Sequence, residues 1–131
     1  PADYFVFSVV RNPWDRFVSG WKYCASTRSR TLRDVLLDPP PEGHDYRHLT
    51  RPQVDILFDA QGRCVTDFVM RYESLQRDFD TVCDRLAKPR ACLPRINVGE
   101  HLPYRSYSDD ECRALFEQRF ARDIAAFGYR Y

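Results

Sequence analysis

The chain changes its period between Val10 and Trp14. Residues 4–10, YFVFSVV, form a nearly continuous apolar and β-branched run, the pattern of a strand covered on both faces, as in a parallel sheet. Asn12 then offers a favoured N-cap, Pro13 suits the first helical position, and Asp15 places negative charge in the first turn. Trp14, Phe17, Val18, Trp21 and then Cys24 or Ala25 recur at helical spacing, a single apolar stripe for packing on the sheet. The junction predicts a strand, a tight turn and a helix from residue 13 to about residue 26.

The same junction sets two polar residues on one flank. Ser19 lies seven residues beyond Asn12, which at about 100° per residue puts it almost beneath the cap and roughly 10 Å along the axis. Arg11, folded along that flank, and the Ser19 hydroxyl are suited to grip one anion. The guanidinium supplies forked charged donors and the serine a neutral one, with favourable potential from the helix N-terminus. The residues alone leave open the plainer alternative, in which Arg11 pairs with a surface carboxylate and Ser19 is an ordinary helix-face residue.

Further along, residues 31–37 predict a short helix that Asp38 and the prolines at 39, 40 and 41 end, and the chain then reads as loop to Pro52. Residues 54–58 and 63–71 read as the two strands of a hairpin around Asp59-Ala60-Gln61-Gly62, the second well buried. Residues 74–87 carry Leu75, Phe79, Val82, Cys83 and Leu86 at helical spacing, closed by Pro89. Ser108-Asp109-Asp110-Glu111 reads as a capping box opening one last helix, with Cys112, Leu115, Phe116, Phe120, Ile124 and Phe127 inward and Gly128 as its left-handed terminator. Strands alternating with helices imply an α/β layer protein, and 131 residues suit one domain over 1–131.

Composition narrows the function. Hydrophobic residues at 44% and aromatic ones at 15% support a folded core. A formal net charge of +1 creates no field to draw in nucleic acid, so an anion site must be a local arrangement. Five cysteines without a CxxC or a His/Cys cluster suggest neither zinc nor a disulfide framework. Cys24, Cys83 and Cys112 fall on apolar helical faces as small hydrophobes, which fits a reducing cytoplasm. No apolar run approaches the roughly 18 to 20 residues of a membrane span, and no signal-like segment opens the chain. Pro1-Ala2-Asp3 runs straight into the first strand without an initiator Met or a cap, as expected of a piece cut from a longer protein.

The string FSVVRNPWDRFVSGWKY resembles the 3′-phosphate-binding motif of sulfotransferases that use 3′-phosphoadenosine 5′-phosphosulfate (PAPS), in particular the carbohydrate sulfotransferase branch. That motif has Arg, then Asn or His, Pro, a bulky residue, Asp or Glu, Arg, and a Ser eight positions after the first Arg. The segment HLTRPQVDILFDAQGRCVTDFVMRYESLQRDFDTVC resembles the middle of that family, with His48, Pro52-Gln53, and a strand ending in Arg71, Tyr72, Glu73 and Leu75. Residues 104–107 and the pattern Phe120, Asp123, Ile124, Phe127, Gly128, Tyr129 resemble its C-terminal helix.

The resemblance implies a P-loop-like parallel-sheet fold, transfer of a sulfuryl group to a carbohydrate hydroxyl without a metal, and Arg11 and Ser19 on the 3′-phosphate of PAPS. Such transfer needs an in-line acceptor, a base for its proton, and donors on the leaving 5′-phosphate. The family's 5′-phosphosulfate loop, with a Lys and a Ser or Thr at a helix start, has no counterpart among these residues, since Lys22 precedes Tyr23 and Lys88 precedes Pro89. The expectation is a chain that lacks the N-terminal part of the fold, supplies the 3′-phosphate half of the site and is inactive alone.

His48, His101 and Glu73 are candidates for the base or for substrate contact, the two histidines because they titrate near neutrality. As plain alternatives they are solvated loop histidines and a helix-capping carboxylate. Arg95 and Arg105 are candidates to close over the nucleotide, or else surface charge. The expected acceptor is an oligo- or polysaccharide, in the cytoplasm of a bacterium or in the Golgi of a eukaryote. From another class stands a non-enzymatic remnant of the fold that binds nucleotide or protein.

Overall fold

In the computed structural model, which describes residues 4–94, 96 and 102–131, the period change falls where the sequence places it. Strand β1 (Phe7–Val10) and helix α1 (Pro13–Tyr23) are separated only by Arg11 and Asn12. The Asn12 side-chain oxygen accepts hydrogen bonds from the Trp14 and Asp15 amides at 3.0 and 3.3 Å. Helix α2 (Leu32–Leu37) is capped by the Thr31 hydroxyl, which accepts from the Asp34 amide at 3.1 Å. Then come α3 (His44–Thr50), the single turn α4 (Val54–Leu57), strand β2 (Phe68–Arg71), a 3₁₀ turn at Tyr72–Ser74 and α5 (Leu75–Arg85). A second 3₁₀ turn at Tyr104–Ser106 precedes α6 (Asp110–Arg119) and α7 (Ala121–Phe127). Gly128 ends α7 in the left-handed region at φ 64°, as its position predicts.

The chain divides into two compact units, Pro1–Arg11 with Asp55–Val98 and Asn12–Val54 with Gly99–Tyr131. In the first, β1 and β2 pair in parallel, Phe7 opposite Phe68 and Val10 opposite Arg71, so the expected parallel sheet is present. Among the described residues it has two strands. β1 is shorter than the apolar run and is not covered on both faces: Phe7 is 41% and Val9 42% exposed. β2 buries Met70 alone of its four residues. Helix α5 packs on β2 and buries Val82 and Cys83. Its Asp78 carboxylate accepts from the Arg71 amide at 2.8 Å and the Ser74 hydroxyl at 2.9 Å, joining the end of the strand to the start of the helix.

The second unit is helical. The stripe of α1 packs against helices rather than a sheet: Trp14, Phe17, Val18 and Trp21 share one core with Leu32, Val35 and Leu36 of α2, Leu49 of α3, and Cys112, Phe116 and Phe120. Phe17 meets Phe116 edge-on at 5.4 Å, and Phe116 lies 4.6 Å from Phe120. Helix α1 ends at Tyr23, earlier than its pattern, because the chain turns back through a buried Thr27 whose hydroxyl donates to the Trp21 carbonyl at 2.9 Å.

Four further expectations change. The segment expected to be loop before Pro52 contains α3, which presents one buried apolar residue, Leu49, and so carries no helical period in its sequence. Residues 54–57 are helical rather than a strand, because the fully buried Asp123 carboxylate of α7 accepts from the Gln53 and Val54 amides at 2.9 and 3.0 Å and caps the turn from a distance. Of the hairpin, the turn remains, with Gly62 at φ 75° and a single antiparallel bridge between Phe58 and Cys64. The last helix is two helices broken at Phe120. Its cap is Asp109, which accepts from the Cys112 amide at 2.8 Å, while Glu111 pairs with Arg33 instead of closing a capping box.

Candidate functional site

In the first unit, Arg11 follows the last residue of β1, and Tyr72 and Glu73 follow the last residue of β2. These are the carboxyl ends of parallel strands, where open α/β sheets bind ligands. The Arg11 guanidinium carbon lies 4.3 Å from the centroid of the Tyr72 ring, close enough for a cation–π contact that orients the arginine. Glu73 is exposed in the 3₁₀ turn. Tyr72 and Glu73 also line a groove of about 690 Å³ together with Gln76, Arg77, Cys92 and Leu93, a volume within the usual range for small-molecule sites.

In the second unit, Ser19 is half-buried on α1. The Trp14 and Asp15 amides at the head of that helix are already taken by the Asn12 side chain, so an anion there would meet the helix dipole and side-chain donors rather than those two amides. Gly20 lies next along the helix. A Cβ at that position would stand 3.0 Å from Leu49 Cδ2 and 3.1 Å from His48 Cδ2, so α3 rests on bare backbone. Arg16 holds α3 in place by its end: Nη1 donates to the Arg51 carbonyl at 2.9 Å and Nη2 to the His48 carbonyl at 3.0 Å, satisfying carbonyls that a helix C-terminus leaves without partners.

The His48 ring is 6.1 Å from that of Tyr23 and 6.1 Å from that of His44, the two imidazoles within 17° of parallel. Partial burial, followed by the positive charges of Arg16 and His44, lowers the His48 pKa, with Asp45 opposing. The neutral imidazole is thereby favoured at neutral pH. Asp45 itself accepts from the Ser26 hydroxyl at 2.5 Å. The Cys24 thiol is pushed up to about 11 by burial and then by the Asp45 charge, which makes it a core residue and not a nucleophile. Cys83 and Cys112 are buried free thiols as well, in line with their apolar positions.

Of the residues singled out from the sequence, Arg11 and Glu73 belong to the first unit and Ser19, His48 and Arg105 to the second. His48 is helical rather than in a loop, on the helix that packs against the one bearing Ser19. The Arg105 guanidinium carbon lies 5.4 Å from the ring centroids of both Tyr104 and Tyr131, placing it on an aromatic cluster. Arg95 and His101 fall outside the described residues. Sequence reasoning gave Arg16, Gly20 and Tyr72 no role of their own. The first two stand at i−3 and i+1 from Ser19, and that spacing was the available signal for Arg16. Among the described residues no group of three or more His, Cys, Asp or Glu side chains is arranged to hold a metal ion, and no helix is long and apolar enough to cross a membrane.

A half-buried arginine follows a parallel strand and a serine stands on the capped helix after it, and the comparison with known families is specific. The model of the sulfotransferase family matches residues 1–130, and the chain belongs to that family. Its members are transferases that generally use PAPS as donor. Neither the curated proteins nor the solved structures hold a match to the chain.

Proposed function

We propose that this chain takes part in PAPS-dependent transfer of a sulfuryl group to a carbohydrate hydroxyl, with Arg11 and Ser19 as ligands of the donor's 3′-phosphate. The observation that carries the reading is the junction itself: an arginine at the carboxyl end of a parallel strand, an Asn-capped helix starting two residues later, and a serine on that helix seven residues past the cap. These residues fit an anion. Arg11 is half-buried and oriented by Tyr72, and a guanidinium grips phosphate oxygens with two parallel bonds where a lysine offers a point charge.

PAPS would supply the sulfuryl group: its bond to the 5′-phosphate would break as the acceptor oxygen attacked sulfur in line, with the acceptor's proton passing to a base and 3′-phosphoadenosine 5′-phosphate leaving. Positioning the donor by its 3′-phosphate fixes the far end of the nucleotide, so that in-line geometry costs less entropy. The same grip separates PAPS from adenine nucleotides that lack a 3′-phosphate. The P-loop-like sheet and the division of the donor site into a 3′-phosphate half, held here, and a 5′-phosphosulfate half belong to this reading.

Calorimetry with 3′-phosphoadenosine 5′-phosphate and with 5′-AMP tests it. Arg11→Ala is expected to lose about 2 kcal/mol toward the bisphosphate, roughly 30-fold in Kd, and to bind 5′-AMP as the parent does. Ser19→Ala is expected to lose about 1 kcal/mol in the same selective way. Unchanged preference for the bisphosphate in Arg11→Ala would overturn the assignment.

A further inference from the structure

The α1–α3 contact puts a histidine where the phosphate reading has an unfilled role. Resting on that reading, we propose that His48 is a third ligand of the phosphate taken by Ser19, and that it binds as an imidazolium, so that donor binding draws in a proton. The placement is set by three residues of α1. The His48 edge formed by Cδ2 and Nε2 faces Gly20, at 3.1 and 3.4 Å from where a Cβ would stand. The ring meets that of Tyr23, and its own carbonyl is held by Arg16. Ser19 is three residues from Arg16, four from Tyr23 and adjacent to Gly20, so it occupies the neighbouring row of the same helix surface. Gly20 allows this approach, because any side chain there would displace the imidazole.

The ring nitrogens are open to such a ligand. Among the described residues no hydrogen bond engages either of them, the contacts of His48 being its carbonyl and the two ring contacts. Around the ring, the effects that disfavour a charge on His48 outweigh that of Asp45, which favours it. Helix α1 contributes Arg16 and the Tyr23 phenol, and α3 contributes His44 and Asp45, whose carboxylate is held by Ser26. Without an anion, burial first and then the Arg16 charge keep His48 neutral. With a phosphate between Ser19 and the ring, the attraction reverses that preference, and a histidine whose pKa rises on binding takes up a proton in the bound state. Affinity for the 3′-phosphate therefore strengthens as pH falls from about 8.5 to 6.5, until protonation of the phosphate itself opposes it.

The test is calorimetry with 3′-phosphoadenosine 5′-phosphate at pH 6.5 and 8.5, in buffers of different ionisation heat, alongside 5′-AMP. The parent chain is expected to take up part of a proton on binding the bisphosphate and none with 5′-AMP. His48→Gln is expected to abolish that uptake and weaken the bisphosphate about tenfold at pH 6.5, with less than a twofold change at pH 8.5. In the parent chain, the ¹⁵N signal of His48 Nε2 should move on adding the bisphosphate, a readout that does not depend on a variant folding. If the parent shows no preference for the bisphosphate over 5′-AMP, the phosphate reading itself fails and the role of His48 falls with it. If the preference is present and lost in Arg11→Ala, but the His48 signal stays fixed and His48→Gln keeps the proton uptake, the role of His48 alone is overturned.

Discussion

Two buried carboxylates do unlike work from like positions. Asp123 is fully buried, with its oxygens satisfied by the Gln53 and Val54 amides and by the Gln53 side-chain amide at 3.3 Å. Removing it takes a buried acceptor from two backbone donors, so Asp123→Ala is expected to cost about 3 kcal/mol in urea denaturation. Asp78 holds the end of β2 to α5. Burial would raise its pKa, but the hydrogen bonds from the Arg71 amide, Ser74 and Arg77 outweigh that and hold it below the usual carboxylate range. A carboxyl whose pKa is depressed on folding contributes stability above its unfolded value, about 4, and loses that contribution as pH falls through the folded value. Denaturation midpoints of the parent should therefore drop more steeply below pH 4 than those of Asp78→Ala, which is expected to be the less stable protein at pH 7.

At the scale of elements, what could be read from the sequence was what is held locally. Helix α1 announces itself through Asn12, Pro13, Asp15 and its stripe, the end of α2 through Asp38 and the prolines after it, and the end of α7 through Gly128, because each signal acts within a turn of the residue that carries it. Helices α3 and α4 are held from elsewhere: α3 by Arg16 and by the bare backbone of Gly20, α4 by a carboxylate about seventy residues away in the chain. No periodicity in residues 44–57 records those partners. The same holds for the candidate site, where the strand-end arginine and helix serine follow from spacing but the neighbours of His48 follow only from packing. Gly20→Ala tests how tight that packing is. Alanine gains about 1 kcal/mol of helix propensity, yet its Cβ must displace Leu49, which is buried, and His48. The expected outcome is a net loss of about 1 kcal/mol, read by thermal denaturation. A gain would show that α3 yields without cost.

For the whole molecule, family membership supplies the reaction class, and the 3′-phosphate role stands with the proposal for Arg11 and Ser19. The groove of the first unit and the Arg16–His48 contact of the second are each complete within a unit, so variants in one can be assayed without disturbing the other. Arg11→Ala is expected to keep the parent's melting temperature while losing the bisphosphate. Arg16→Ala is expected to lose about 1 to 2 kcal/mol of stability and hydrogen-exchange protection in α3, with α6 and α7 unaffected.

The fork of Arg16 onto the end of α3 thus separates two arginines that stand five residues apart in RNPWDR and look alike in print. One is the proposed ligand of the phosphate, and the other is part of the scaffold. A descendant of such a chain released from donor binding would be free to drop the first arginine but not the second. An intact second arginine beside a missing first is accordingly the signature by which an emptied relative, still folded, can be told from a working one.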